Sequence, residues 1–262
     1  MNRRDFLAGA VVGVVPGGAA AWGLNSARTR DRAAFDKERA ELPRRPPDSR
    51  LSFSQQGEDI VLSHALRDTM KIATPTYLDV GAAHPIRSNN TYLLYGTGST
   101  GVLIEPNPAY AKLLREMRPK DKVVEAGIGV TDTEAADYYE IKGAPMLNTF
   151  SSEQAEYLKK TGKEVERVTK MPLININRVI ADNLGKTPDL VSTDIEGLDY
   201  AVIKSLDLSK YRPAVICAEG VPMSEDNKPS DLVTYLTAQG YIVRGGSMVN
   251  VIFVDGRRLK TA

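Results

Sequence analysis

From Leu51 onward, short runs of β-branched and aliphatic residues alternate with segments of helical spacing, and this order constrains the fold more than any other feature of the chain. It specifies a mostly parallel sheet covered by helices on both faces, because parallel neighbours are joined only through a crossover long enough to hold a helix. Strand-like runs fall at residues 76–80, 101–104, 122–125, 189–193, 214–218, 241–244 and 250–254. Residues 108–117 read as a helix, with Asn107 as cap, Pro108 at the first helical position, and Tyr110, Leu113, Leu114 and Met117 on one face. Residues 231–239 repeat the pattern through Leu232, Tyr235 and Leu236 and stop at Gly240. Shorter helices are expected at 60–66 and 199–206. Only Gly245-Gly246-Ser247 separates the last two strands, so the final strand is expected to run antiparallel at or near the sheet edge.

The first fifty residues follow other rules. Asn2-Arg3-Arg4-Asp5-Phe6-Leu7 precedes a weakly apolar stretch that ends in Ala19-Ala20-Ala21, the three-part layout of an export signal with the arginine pair of the twin-arginine route. Residues 1–24 are therefore expected to be a signal or membrane-anchor segment, which makes the protein membrane-associated or exported, or leaves its catalytic domain facing the cytoplasm. Pro16 and several glycines make this stretch a poor permanent span. Residues 25–50 are rich in arginine and proline and read as a basic linker, with a short helix around 32–42. With 10 basic and 6 acidic residues in residues 1–50, the remaining chain, 51–262, is slightly acidic and is expected to be the single folded domain. That sign argues against nucleic acid as a partner, since phosphate binding draws on clustered Lys and Arg. The one cysteine, Cys217, lies in an apolar run and reads as an inert core thiol.

Ligands of open α/β sheets bind beyond the carboxyl ends of the strands, so the turn in Tyr77-Leu78-Asp79-Val80-Gly81-Ala82-Ala83-His84 is the first place to look. The second and third glycines of a dinucleotide-binding turn are absent, which disfavours a nicotinamide oxidoreductase. One glycine beside an acid suits instead the methionine end of S-adenosylmethionine, with Asp79 as partner for its ammonium. The next strand, Val102-Leu103-Ile104, delivers Glu105 to the same edge, where a carboxylate can accept hydrogen bonds from both ribose hydroxyls; the other reading of Glu105 is a charge favoured at the following helix start. Glu125, ending the third strand, is expected with Ala126-Gly127-Ile128 beside the adenine. Asp194 and Glu196 flank Ile195 after the fourth strand, where an i, i+2 pair shares one side. Their readings are a general base toward a substrate hydroxyl, a partner of donor or metal, or a helix-start pair. His84 is an alternative base, whereas His64 reads as structural.

Six ordered blocks carry a wider similarity: Ser54-Gln55-Gln56-Gly57-Glu58-Asp59, Leu78-Asp79-Val80-Gly81-Ala82-Ala83-His84-Pro85, Ser88-Asn89-Asn90-Thr91-Tyr92-Leu93-Leu94-Tyr95, Ile104-Glu105-Pro106-Asn107-Pro108, Ser192-Thr193-Asp194-Ile195-Glu196-Gly197-Leu198-Asp199 and Pro213-Ala214-Val215-Ile216-Cys217-Ala218-Glu219. Through them the chain resembles the FkbM-type methyltransferases over nearly all of residues 52–256. The resemblance implies a class I methyltransferase fold, a Rossmann-like α/β domain with a seven-stranded sheet and its last strand antiparallel. It also implies S-adenosyl-L-methionine as cofactor and O-methylation of a sugar, glycan or related small-molecule acceptor. A contrasting expectation is an exported binding or scaffold protein that kept the fold without the activity.

Overall fold

The computed structural model describes residues 50–220 and 228–259. The expectations for residues 1–24 and for the linker up to residue 49, its short helix included, lie outside the described residues.

The chain enters as α1 (Glu58–His64), continued by a π-helical turn (Ala65–Thr69), then β1 (Tyr77–Val80), α2 (Tyr92–Gly96), β2 (Gly101–Ile104), α3 (Pro108–Met117) and β3 (Lys122–Val124). A middle stretch follows with β4 (Gly127–Gly129), β5 (Thr133–Ile141), a 3-10 turn (Pro145–Leu147), α4 (Ser152–Lys160) and β6 (Val165–Asn175). The remainder is α5 (Ile176–Asn183), β7 (Leu190–Thr193), α6 (Asp199–Ser205), β8 (Val215–Glu219), α7 (Asp231–Ala238), β9 (Tyr241–Gly246), β10 (Asn250–Asp255) and α8 (Gly256–Leu259).

The main sheet has seven strands in the order β3-β2-β1-β7-β8-β10-β9. Its first five strands are parallel, and β10 runs antiparallel to both neighbours. This is the seven-stranded α/β sheet expected from the sequence, with the last strand one place in from the edge. Period-two alternation sorts its side chains into two layers. Leu78, Val80, Val102, Ile104, Val191 and Ile216 meet Ile180 of α5, Ile203 of α6 and Leu236 of α7. On the other face Tyr77, Leu103, Leu190, Val215, Cys217 and Ile252 meet Leu62 of α1, Leu94 of α2 and Leu114 of α3. Every residue of β1, β7 and β10 is buried, as strands covered on both faces require. Cys217 is a free buried thiol, pushed well above the usual range by burial, which fits the inert reading.

Caps fall where local chemistry placed them. Asn107 accepts the Ala109 amide at 2.9 Å with Pro108 following, and Ser230 accepts the Val233 amide at 3.4 Å.

A second sheet was not expected. Strands β4, β6 and β5 form it in the order β4-β6-β5, with β4 parallel and β5 antiparallel to β6. Both long strands mix exposed with half-buried positions, and neither shows the apolar run by which the main strands are recognised. Pro172 also sits inside β6, a residue that argues against a central strand. The ladder absorbs it with an irregularity, because three steps of β5 from Thr133 to Ala136 face two of β6 from Leu173 to Met171.

Candidate active site

The loop after β1 turns at Gly81, whose φ is +80°. A Cβ there would lie 2.1 Å from the Asp194 carbonyl oxygen, so the β1 and β7 loops touch through a position that admits only glycine. The amides of Gly81 and Ala82 donate to the Ile104 carbonyl at 3.0 and 3.1 Å and tie this loop to the end of β2. Just beyond, Glu105 is 4% exposed. Its Oε2 accepts the Ala83 amide and its Oε1 the Asn107 amide, each at 2.7 Å. Burial pushes the Glu105 carboxyl up to about 7, with the Asp79 charge adding to the rise and the two amides opposing it. Each oxygen keeps a second lone pair for a ligand hydroxyl.

Asp79 lies beneath this loop. Its Oδ2 accepts the Thr91 hydroxyl at 2.5 Å, and Thr91 in turn accepts from Arg118 Nη2 at 2.9 Å. Arg118 is fully buried: Nε donates to Asp121 at 2.8 Å, Nη1 to Asn89 at 3.0 Å, and Nη2 also to the Tyr77 hydroxyl at 2.9 Å. Burial raises the Asp79 carboxyl while the Arg118 charge opposes the rise. Asp79 is thus a buried brace of the loop, absent from the residues that line the cleft, whereas the sequence placed it against the ligand. Arg118 escaped sequence reading because an arginine ending an amphipathic helix ordinarily reaches solvent.

Asp194 and Glu196 do reach the cleft wall. Glu196 holds a left-handed φ of +52° and Gly197 follows at +97°, a turn of the kind that costs energy and clusters at functional sites. Gln154 of α4 donates to Glu196 Oε2 at 3.2 Å, and the Thr149 hydroxyl to the Glu196 carbonyl at 3.4 Å. Burial raises the Glu196 carboxyl, with Gln154 opposing. Asp194 stands well above the ordinary carboxylate range, first through burial and then through the charges of Glu219, Glu196, Asp79 and Glu58. The helix-start alternative does not describe this pair: α6 has Leu198 at its cap position with no side-chain cap, and its first-turn acid is Asp199. Among the described residues, no group of three or more His, Cys, Asp or Glu is arranged to hold a metal ion.

Two expected site residues lie elsewhere. His84 is buried with Nδ1 accepting the Ile86 and Arg87 amides at 3.1 and 3.0 Å, so the ring pins the turn and does not line the cleft. Glu125 points outward to Arg115 at 3.0 Å, whereas Ala126, Gly127 and Ile128, expected with it, do form the wall. In a parallel strand one residue of difference reverses the face.

The cleft opens along the carboxyl ends of β1, β2 and β7 and encloses about 560 Å³ counted out to its mouth. Its far wall comes from the unexpected sheet and the segment after it: Tyr138, Met146, Asn148, Thr149 and Phe150, facing Tyr110 of α3. The Tyr138 and Phe150 rings lie 4.7 Å apart. These aromatic residues were visible in the sequence, but nothing local assigned them to a cleft shared with Gly81, 57 and 69 positions earlier in the chain.

A family model described as the methyltransferase FkbM domain matches residues 79–243, more than half of the chain. No match was found among curated proteins. Among solved structures, an O-methyltransferase from Bacillus cereus in complex with SAH is similar at 12% identity, with 96% of each chain covered and a TM-score of 0.41. A TehB-like SAM-dependent methyltransferase from Corynebacterium glutamicum matches at 10% identity over 88% of this chain and 100% of that one, with a TM-score of 0.39. A precorrin-6y C5,15-methyltransferase from Geobacter metallireducens matches at 14% identity over 79% and 92%, with a TM-score of 0.42.

Proposed function

The chain belongs to the methyltransferase FkbM family, and from this premise we propose that it moves a methyl group from S-adenosyl-L-methionine to a hydroxyl of a sugar, glycan or related cell-envelope metabolite. The observation that supports the reading best is the convergence of Glu105 with Asp194 and Glu196 on one cleft at the carboxyl ends of β2 and β7. The cleft residues fit the donor: Glu105 is a buried acid with lone pairs to spare for ribose hydroxyls, and the Gly81 turn brings bare backbone to the wall. Tyr110, Tyr138 and Phe150 offer apolar surface for a base. When bound, S-adenosylmethionine supplies an activated methyl. The protein's share is then to hold the acceptor oxygen in line and to accept its proton. Asp194 and Glu196 are the two carboxylates in position for that task, and general-base assistance is worth about 10²–10⁴-fold. A hydroxyl-rich acceptor also matches an acidic wall, since carboxylates are strong acceptors of hydroxyl hydrogen bonds.

Calorimetry with S-adenosylmethionine, followed by assay of demethylated donor against a panel of sugars and glycans, tests this reading. Asp194→Asn and Glu196→Gln are made separately. Protein that neither binds the donor nor consumes it with any acceptor refutes the reading, and full turnover in both variants removes the acids from the chemistry.

We further propose that residues 1–24 direct the protein to the membrane or export path, on the strength of Arg3-Arg4 ahead of the apolar run. Replacing both arginines by lysine should hold a twin-arginine substrate in the cytoplasm. Soluble, full-length cytoplasmic protein with the arginines intact would rule the proposal out.

A further inference from the structure

Behind Asp194 lies a pair of acids, Asp199 and Glu219, that do not line the cleft. Asp199 is 3% exposed and folds back under the loop, its Oδ2 accepting the Ile195 amide at 3.3 Å. Glu219 ends β8, which pairs in parallel with β7 through Thr193 and Ala218, so Asp194 and Glu219 leave adjacent strands side by side. The Glu219 and Asp199 carboxyls are close enough that the Asp199 charge bears directly on Glu219. Yet Asp199 Oδ1 and Glu219 Oε2 are both buried and meet no donor. The Thr193 hydroxyl is near Asp199 but outside hydrogen-bond geometry. Two carboxylates facing each other out of water repel, and the contact becomes favourable only when one carries the proton that the other accepts.

We propose that Asp199 and Glu219 share one proton as a carboxyl pair directly behind Asp194, and that this pair sets the charge against which Asp194 works. The second half rests on the methyl-transfer reading above, whereas the shared proton does not. Acidic groups crowd it among the described residues: Asp194 faces Asp199, Glu196 and Asp199 face Glu219, and Glu219, Glu196, Asp79 and Glu58 face Asp194. Burial, with this crowding, raises Asp199 to about 7 and Glu219 to about 8. Near neutrality the pair therefore bears one negative charge. Above about 8 it bears two, and the second falls beside Asp194.

An amide in place of either acid supplies the missing donor without a charge, so Asp199→Asn and Glu219→Gln should both fold. The first measurement is urea stability against pH. A carboxyl whose folded value is raised stabilises the fold below its unfolded value and loses that contribution as pH climbs through the folded value, so wild-type stability should fall between about pH 5 and 8. Each single variant should flatten this fall to the same extent, and the double variant should flatten it no further. Additive losses, or no flattening in either single variant, overturn the shared proton. Infrared spectra of the wild type give an independent reading, because the absence of any protonated carboxyl band at pH 7.5 also overturns it. The second measurement is kcat against pH. Wild type should show a step between about pH 7 and 9 that both single variants lack. A step that survives in the variants overturns the influence on Asp194 and leaves the shared proton standing. Absence of turnover at every pH in the wild type sinks the methyl-transfer reading, and the tuning role with it, while the stability series still decides the proton.

Discussion

Glu105 has two duties that pull its proton in opposite directions. Its oxygens hold the Ala83 and Asn107 amides, which favours the carboxylate, and burial favours the acid more strongly, giving a value of about 7. Glu105→Ala is expected to weaken S-adenosylmethionine binding by about 1.5–3 kcal/mol, the scale of hydrogen bonds to a charged group, and calorimetry measures it directly. Because the folded value lies above the ordinary 4.5, ionisation opposes folding: stability contributed by this group is full below about 4.5 and is lost as pH rises through about 7. Donor affinity should move the other way and rise through the same window. Affinity that is flat from pH 5.5 to 8.5 would contradict the role. Arg118 is the opposite kind of residue, a cation whose donors are taken up by Asp121, Asn89, Tyr77 and Thr91. Arg118→Ala leaves Asp121 and Asp79 buried without a counter-charge and should cost about 3–5 kcal/mol in urea unfolding, far more than an exposed ion pair.

At the scale of elements, the main sheet supplies one wall of the cleft and the segment from β5 to α4 supplies the other. The two are latched at Glu196 by Gln154 and Thr149. Gln154 is itself fixed at the start of α4, where Ser151 caps the helix by accepting the Gln154 amide at 3.1 Å. Removing the latch should misplace a carboxylate without touching the donor. Gln154→Ala is therefore expected to lower kcat by about 10–100-fold with donor affinity unchanged, the penalty of a small displacement at a reacting group. Steady-state kinetics beside calorimetry separates the two effects, and equal loss of donor binding would show that the latch belongs to the donor site instead.

For the whole molecule, residues 50–262 form one compact unit. Among the described residues, the two apolar layers of the sheet draw their members from residues 61–259. A protein beginning at Leu51 should unfold in a single cooperative transition at the same urea midpoint as the full chain and bind the donor equally well. A lower midpoint would show that the first fifty residues contribute to the fold. Among the described residues no helix is long and apolar enough to cross a membrane.

Local chemistry determined a good deal of this protein. The strands of the main sheet were legible, β1, β7 and β10 most directly because both of their faces are buried, so their apolar runs owe little to context. Helix α3 was legible from Asn107, Pro108 and the spacing of Leu114, and the antiparallel last strand from the shortness of its connection. Gly81, Glu105, Asp194 and Glu196 were legible as well, since strand ends on one edge of a parallel sheet converge whatever the loops do. Only the tertiary structure decided the rest. Asp79 was turned inward by Arg118, 39 positions away, and His84 was taken by the turn it closes. The second sheet had no signature because its two long strands mix exposed and half-buried positions, without an apolar run, and one contains Pro172. The Asp199–Glu219 contact was invisible for a related reason. A carboxylate repels its own kind in the unfolded chain and in any local segment, and it faces another only where a folded interior leaves a proton between them.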